Sequence, residues 1–248
     1  MYPSLTDRAA IVTGASRGIG AAIARELAAS GVRVMLNSRR AEDLEATAAS
    51  IDGDVAWFAG NAGDPEVAEA CVRATIDRFG RLDILVNNAA TNPYYGPTVG
   101  VDLSRFDKTV QVNLRGPLAW SQAAWTQAMS TTPGVIVNVA SVGALRTEAN
   151  LGVYNVTKAA LAHLTRQLAC ELGPTRVVGV APGLVETDFS AVLVETYGTE
   201  LAAGLPLQRL GQPEDVGRLV TFLASDHASW ITGDIVIIDG GATVKSIA

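Results

Sequence analysis

The chain has 248 residues, 48% hydrophobic and 18% charged, with 24 glycines and a formal net charge of −6. So apolar a chain can bury a sizeable core, in one large α/β domain or two small ones, and extensive disorder is excluded. Lysines and arginines form no stripe or basic amphipathic segment, which argues against nucleic acid or an anionic membrane surface as partner.

Short β-branched runs alternate with longer amphipathic stretches along the chain. Residues 9–13 (AAIVT) read as a strand ending in a glycine turn. Helical spacing follows over 19–30 and stops at Gly31. Strands are expected at 32–37 and 55–59, with an Ala/Glu-rich helix at 41–50 between them. Asp64-Pro65 caps a helix closed by Gly80, and a fourth strand covers 82–86. The helical pattern over 103–129 is expected to break near Gly116-Pro117. Then come a strand at 135–139, a long helix at 153–172, a strand at 177–181, a helix at 213–224 and a last strand at 234–238. Seven nearly all-apolar strands alternating with about six helices predict right-handed crossovers. The expected fold is α/β: a Rossmann-type doubly wound, seven-stranded parallel sheet with helices on both faces, as a single domain over 1–248. Segment 188–210 interrupts the rhythm after a strand's carboxyl end, where open parallel sheets bind ligands. It reads as a substrate lid, with a plain surface insertion as the alternative.

The first turn, Thr13-Gly14-Ala15-Ser16-Arg17-Gly18-Ile19-Gly20, has glycines that let the chain turn tightly and let a pyrophosphate approach the backbone. The following helix N-terminus offers free N–H groups and a positive dipole end. The spacing is G-x-x-x-G-x-G rather than G-x-G-x-x-G, and a purely structural turn is the competing reading. An acid closing the second strand would bind the adenosine ribose and repel a 2′-phosphate. This chain has Asn37-Ser38-Arg39-Arg40 there, with Arg17 nearby in the turn. Charge-assisted guanidinium donors suit a phosphate, so NADP(H) is favoured over NAD(H). The alternative is a solvated helix start at Arg39 and Arg40, with Ser38 tolerating either cofactor.

Tyr154 and Lys158 stand four apart on the long helix and share a face. An ammonium near a phenol is expected to lower its pKa and tune it for proton exchange with a carbonyl oxygen. Ser141, just past a strand, can hydrogen-bond the same oxygen. Asn113 can hold a water or backbone group that completes a proton path. Taken singly, Ser141 also reads as a loop hydroxyl and Asn113 as a helix-bending polar residue.

Together these motifs resemble the short-chain dehydrogenase/reductase family over essentially the whole chain, and its 3-oxoacyl reductase-like members in particular. Residues 13–20 look like the family's T-G-x-x-x-G-I-G turn, and Asn87-Asn88-Ala89-Ala90 like its N-N-A-G motif, with Ala90 in place of the glycine. The resemblance implies a tetrad of Asn113, Ser141, Tyr154 and Lys158. It implies cofactor contacts from Gly14, Ser16, Arg17, Gly18, Ile19, Gly20, Ser38, Arg39, Asn61, Asn88 and Ala89. Tyr154 and Lys158 also face the nicotinamide ribose, and Pro182, Gly183, Val185 and Thr187 hold the carboxamide. Asn61 stands where many members carry an adenine-contacting Asp. Members of this length are mostly homotetramers, with helices around 103–129 and 153–172 between subunits; Trp120 and Trp125 would lie on or near that surface, with ordinary core as the alternative.

The expected activity is NADP(H)-dependent hydride transfer between the nicotinamide and a carbonyl or secondary alcohol. The alternative is a catalytically inactive dinucleotide-binding sensor or scaffold. The substrate would be a 3-oxoacyl or other moderately apolar ketone, in a pocket lined by 91–95, 142–151, Leu184 and 189–193. The acidic balance, and the lack of Lys or Arg over 116–129, weigh against a carrier-protein-bound substrate. His163 and His227 suggest no metal site. Cys71 and Cys170 are expected reduced and half-buried; Glu186 and Asp188, near the lid, read as turn caps, with substrate contact as the alternative. No apolar run approaches the roughly 18 residues a membrane helix needs, and 1–8 carries no signal pattern. The expected location is cytoplasmic.

Overall fold

The computed structural model describes residues 2–244, without the side chains of residues 3, 191–193 and 195–197. Residues 1 and 245–248 of the expected 1–248 unit lie outside this description. The strands are β1 (Ala9–Thr13), β2 (Arg33–Ser38), β3 (Val55–Ala59), β4 (Ile84–Asn87), β5 (Val135–Val139), β6 (Arg176–Pro182) and β7 (Ile235–Ile238). They form one sheet in the order β3-β2-β1-β4-β5-β6-β7, and every pairing is parallel. This is the doubly wound architecture that the alternation of elements predicts.

The helices are α1 (Gly18–Ala29), α2 (Ala41–Ala49), α3 (Pro65–Phe79), α4 (Leu103–Val110), α5 (Gly116–Ala124), α6 (Gly152–Glu171), α7 (Ala191–Ala203) and α8 (Pro213–Ala224). Successive strand side chains point to opposite faces, so each strand feeds two cores. Ala10, Val12, Val34, Leu36, Val137 and Val180 pack with Ile23 and Leu27 of α1 and Val220 and Leu223 of α8. Ala9, Ile11, Met35, Leu85 and Ile136 pack with Val72 of α3, Trp120 of α5 and Leu168 of α6. Burial of these side chains on both faces is the main stabilising term.

A polar ladder crosses the second core. Asn87 Nδ2 donates to Asn138 Oδ1 (2.9 Å), and Asn138 Nδ2 donates to Thr165 Oγ1 (2.9 Å). The bonds tie β4 to β5 and β5 to α6 at fixed register, where an unpaired amide would be costly.

The interruption expected in the 103–129 helix near Gly116-Pro117 takes the form of a π-turn at Gln111–Arg115, and a second π-turn spans Trp125–Met129. The first of these leaves Pro117 in the opening turn of α5, where a missing N–H costs little. Segment 188–210 contains α7, and its ends are drawn together by a parallel bridge between Val185 and Gly211. Trp120 lies in the core at 1% exposure, its indole N–H donating to the Ala62 carbonyl (3.0 Å). Neither cysteine is half-buried: Cys71 is buried, with burial pushing its thiol up to about 12, and Cys170 is exposed. Among the described residues no cluster of His, Cys, Asp and Glu has the makings of a metal site, and no helix is long and apolar enough to cross a membrane.

Candidate active site

The strand order reverses its sense of travel between β1 and β4, so the loops after these two strands part and leave a crevice at their carboxyl ends. Thr13 closes β1, and its Oγ1 accepts from the N–H groups of Asn88 (3.0 Å) and Ala89 (3.1 Å). Asn88 Nδ2 returns bonds to the carbonyls of Thr13 (2.9 Å) and Gly14 (3.2 Å). The glycine turn is thereby stitched to the end of β4. Within it Gly14 and Gly18 have φ of +65° and +54°, and a Cβ on Gly20 would fall 2.2 Å from the Gly14 carbonyl oxygen. The three glycines are steric requirements of the turn. Helix α1 begins at Gly18 with no side-chain cap, which leaves its first N–H groups and positive dipole end toward the crevice.

Beside the turn, the Ser16 and Ser38 hydroxyls are bonded (3.0 Å), and Thr47 Oγ1 of α2 donates to the Ser16 carbonyl (2.9 Å). Two of the expected guanidiniums have acid partners. Arg40 is engaged by Asp43, and Arg17 reaches Asp188 (3.1 Å). Asn61 Oδ1 accepts from Gly63 N–H (3.1 Å), so the oxygen expected to meet an adenine also shapes the turn before α3.

The proton-transfer candidates converge beyond β5. Ser141 Oγ accepts from Gly143 N–H (3.1 Å) and fixes the turn that follows the strand. Tyr154 and Lys158 lie one turn apart on α6, with Nζ 5.6 Å from the phenol ring centroid. Lys158 is 2% exposed, and its Nζ donates to the Val139 carbonyl (2.7 Å). Burial alone drives the ammonium down to about 7. Tyr154 differs from the sequence expectation of a lowered pKa. Burial pushes the phenol up to about 12, opposed by a hydrogen bond with Ser141 and assisted by the Glu148 carboxylate. The lysine bonds a backbone carbonyl, and desolvation penalises phenolate and ammonium alike.

Asn113, fully buried in the first π-turn, has its side chain committed elsewhere. Its Oδ1 accepts from Thr91 N–H (2.8 Å), and its Nδ2 donates to the Thr91 carbonyl (2.9 Å) and to Thr157 Oγ1 (3.2 Å). It clamps the loop after β4 to the turn of α6 that carries Tyr154. Pro182 ends β6, and Gly183 N–H donates to the Ile238 carbonyl (2.9 Å). Ser190 Oγ binds the Val185 carbonyl (2.5 Å) and accepts from Thr187 N–H (3.1 Å). That knot holds the base of segment 188–210. Phe189, 61% exposed, leans on Tyr154 with centroids 5.9 Å apart. Leu145 and Tyr95 are also exposed at positions of the expected pocket lining. The side chains of 191–193, expected in the same lining, lie outside the described residues.

A family sequence model described as "Enoyl-(Acyl carrier protein) reductase" matches residues 14–243. "Dehydrogenase/reductase SDR family member 4" of Sus scrofa is 38% identical over 97% of this chain and 89% of its own length. The chain belongs to the short-chain dehydrogenase/reductase family. Solved structures agree. A short-chain dehydrogenase/reductase from Brucella melitensis described as "Glucose/ribitol dehydrogenase" matches with a TM-score of 0.92 at 33% identity, covering 97% of this chain and 98% of its own. Levodione Reductase matches with a TM-score of 0.92 at 32% identity, covering 97% and 99%.

Membership in the short-chain dehydrogenase/reductase family makes this an oxidoreductase and implies a nicotinamide dinucleotide. The uncapped α1 and the glycine turn fit a pyrophosphate, and the Ser16–Ser38 hydroxyl pair beside them fits the adenosine end. Sequence reasoning missed Thr13, Thr47 and Ser190, whose hydroxyls bind backbone far away in the chain or across a turn. It also read Glu186 and Asp188 as turn caps or substrate contacts. Glu186 instead accepts from Gln212 Nε2 (2.7 Å), and Asp188 pairs with Arg17. No periodicity signals such partners; only a count of unpaired polar residues near the motifs could have flagged them.

Proposed function

We propose that the chain is an NADP(H)-dependent enzyme interconverting a ketone and a secondary alcohol, with Asn113, Ser141, Tyr154 and Lys158 as its working residues. The observation that carries this reading is the convergence of the Ser141 hydroxyl, the Tyr154 phenol and the buried Lys158 ammonium at the end of β5. The nicotinamide supplies or accepts the hydride when bound. Ser141 and Tyr154 hold the substrate oxygen between two hydroxyls. A phenol that keeps its proton to about 12 delivers it to the oxygen of a ketone being reduced. Lys158, bonded to the Val139 carbonyl, anchors the α6 turn behind the phenol, and Asn113 locks the loop that faces it.

In this reading Gly14, Ser16, Gly18, Ile19 and Gly20 cradle the pyrophosphate side, with Asn88 and Ala89 as the opposite wall. Ser38, Arg39 and Arg17 receive the 2′-phosphate, and Asn61 meets the adenine. Pro182, Gly183, Val185 and Thr187 position the nicotinamide. Segment 188–210 is the substrate lid of a single unit over 1–248, hinged at the Val185–Gly211 bridge. Exposed Tyr95, Leu145 and Phe189 support a moderately apolar ketone, 3-oxoacyl compounds among them. Exposed Leu103, Phe106 and Val156 on α4 and α6 support a homotetramer, which sedimentation would test. A cytoplasmic location completes the reading.

The test follows loss of reduced cofactor with NADPH or NADH and a panel of ketones of graded polarity. Turnover with NADPH, and a kcat/KM at least tenfold above that with NADH, is the expected result. Tight dinucleotide binding with no turnover on any ketone would instead support a sensor or scaffold.

A further inference from the structure

Arg17 stands at a junction of the cofactor turn and the lid. The residue before it, Ser16, is fastened to the β2–α2 side through Ser38 Oγ and Thr47 Oγ1. Its own guanidinium crosses the crevice to Asp188, with Nη1 3.1 Å from Oδ2 and both side chains 71% exposed. It also lies close enough to Asp43, in the first turn of α2, to help hold that carboxyl below its usual range. Just beyond it, Gly18 approaches Thr187 so closely that a Cβ would sit 3.3 Å from Thr187 Cγ2. Thr187 and Asp188 belong to the turn knotted by Ser190, from which α7 departs. One long side chain therefore has acceptors on two sides: the α2 start, where a 2′-phosphate would lie, and the first residue of the lid.

We propose that Asp188 is a specificity-determining residue for the cofactor, which competes with the dinucleotide's 2′-phosphate for Arg17. The proposal rests on the reading of Arg17 as a 2′-phosphate ligand. A phosphate carries about two charges and three acceptor oxygens, so it outbids a single exposed carboxylate for a guanidinium. When the phosphate takes Arg17, Asp188 is released and the lid base loses its tie to the glycine turn. A dinucleotide without that phosphate leaves the pair closed. Cofactor identity is thus passed to the lid through one ion pair.

The test uses the full chain, with NADPH and NADH titrated by fluorescence into wild type and Asp188→Asn at low and high salt. Hydrogen exchange is followed over 186–204. Freed of its competitor, Arg17 binds NADPH roughly three- to tenfold more tightly at low salt, an effect that shrinks as salt screens it. NADH affinity stays within about twofold. In wild type, NADPH but not NADH speeds exchange near 186–190; in the variant exchange there is already fast. Equal changes for both cofactors, weaker NADPH binding, or exchange blind to the phosphate would overturn the proposal. If wild type itself does not prefer NADPH and Arg17→Ala changes neither affinity, the cofactor reading has failed and the proposal falls with it. A wild-type NADPH preference left unmoved by Asp188→Asn defeats the proposal alone.

Discussion

Replacing Lys158 by Met should make the protein more stable at neutral pH while abolishing its chemistry. The wild-type ammonium is 2% exposed, and burial lowers its pKa from 10.5 to about 7. At 1.36 kcal/mol per pKa unit, that shift is a native-state penalty of about 5 kcal/mol at and below pH 7. Methionine fills similar volume without charge, but it forfeits the bond to the Val139 carbonyl, a loss of about 1–3 kcal/mol. The net gain at pH 7 is about 2–4 kcal/mol, or roughly 5–10 °C in Tm for a chain of this size. The sign of the pH dependence follows from linkage. Between about pH 7 and 10.5 the unfolded lysine holds a proton that the native one has shed, so wild-type stability rises with pH through this window. By pH 9 the penalty has fallen to about 2 kcal/mol, and the variant's advantage shrinks toward zero. Thermal or urea unfolding of both proteins at pH 7 and pH 9 measures the difference, in which the other titrating groups cancel. A variant less stable than wild type at pH 7, or an advantage equal at both pH values, would refute the assignment of a desolvated, charge-strained lysine.

Three further outcomes are expected. Tyr154→Phe keeps the ring contact with Phe189 and removes the proton donor, so kcat for ketone reduction falls by about 10²–10⁴ while NADPH affinity, read by fluorescence titration, moves less than about threefold. Gly20→Ala places a methyl 2.2 Å from the Gly14 oxygen; dinucleotide affinity drops by more than about tenfold and stability by about 1–3 kcal/mol, with undiminished binding in a calorimetric titration as the contrary result. Asn138→Ala breaks the ladder between Asn87 and Thr165 in the core. It should cost about 2–4 kcal/mol in urea unfolding, and a loss under about 0.5 kcal/mol would show the ladder to be energetically idle.

The local rules decided much of this molecule before any tertiary contact was considered. Strands buried on both faces read as unbroken apolar stretches, so 9–13 and 135–139 coincide with β1 and β5, both buried throughout. Glycines in a strand-to-helix turn, and a tyrosine four residues before a lysine on one helix, are likewise written in spacing alone. What the tertiary structure decided were quantities that depend on distant neighbours. The phenol's proton is held tightly because packing desolvates it, which the Tyr-x-x-x-Lys spacing cannot express. The Asn113 side chain serves as a clamp on Thr91 and Thr157, with partners 22 and 44 positions away. Arg17 faces Asp188 across 171 residues of chain. Periodicity reports how a segment meets water, whereas dielectric and pairing belong to the assembled interior.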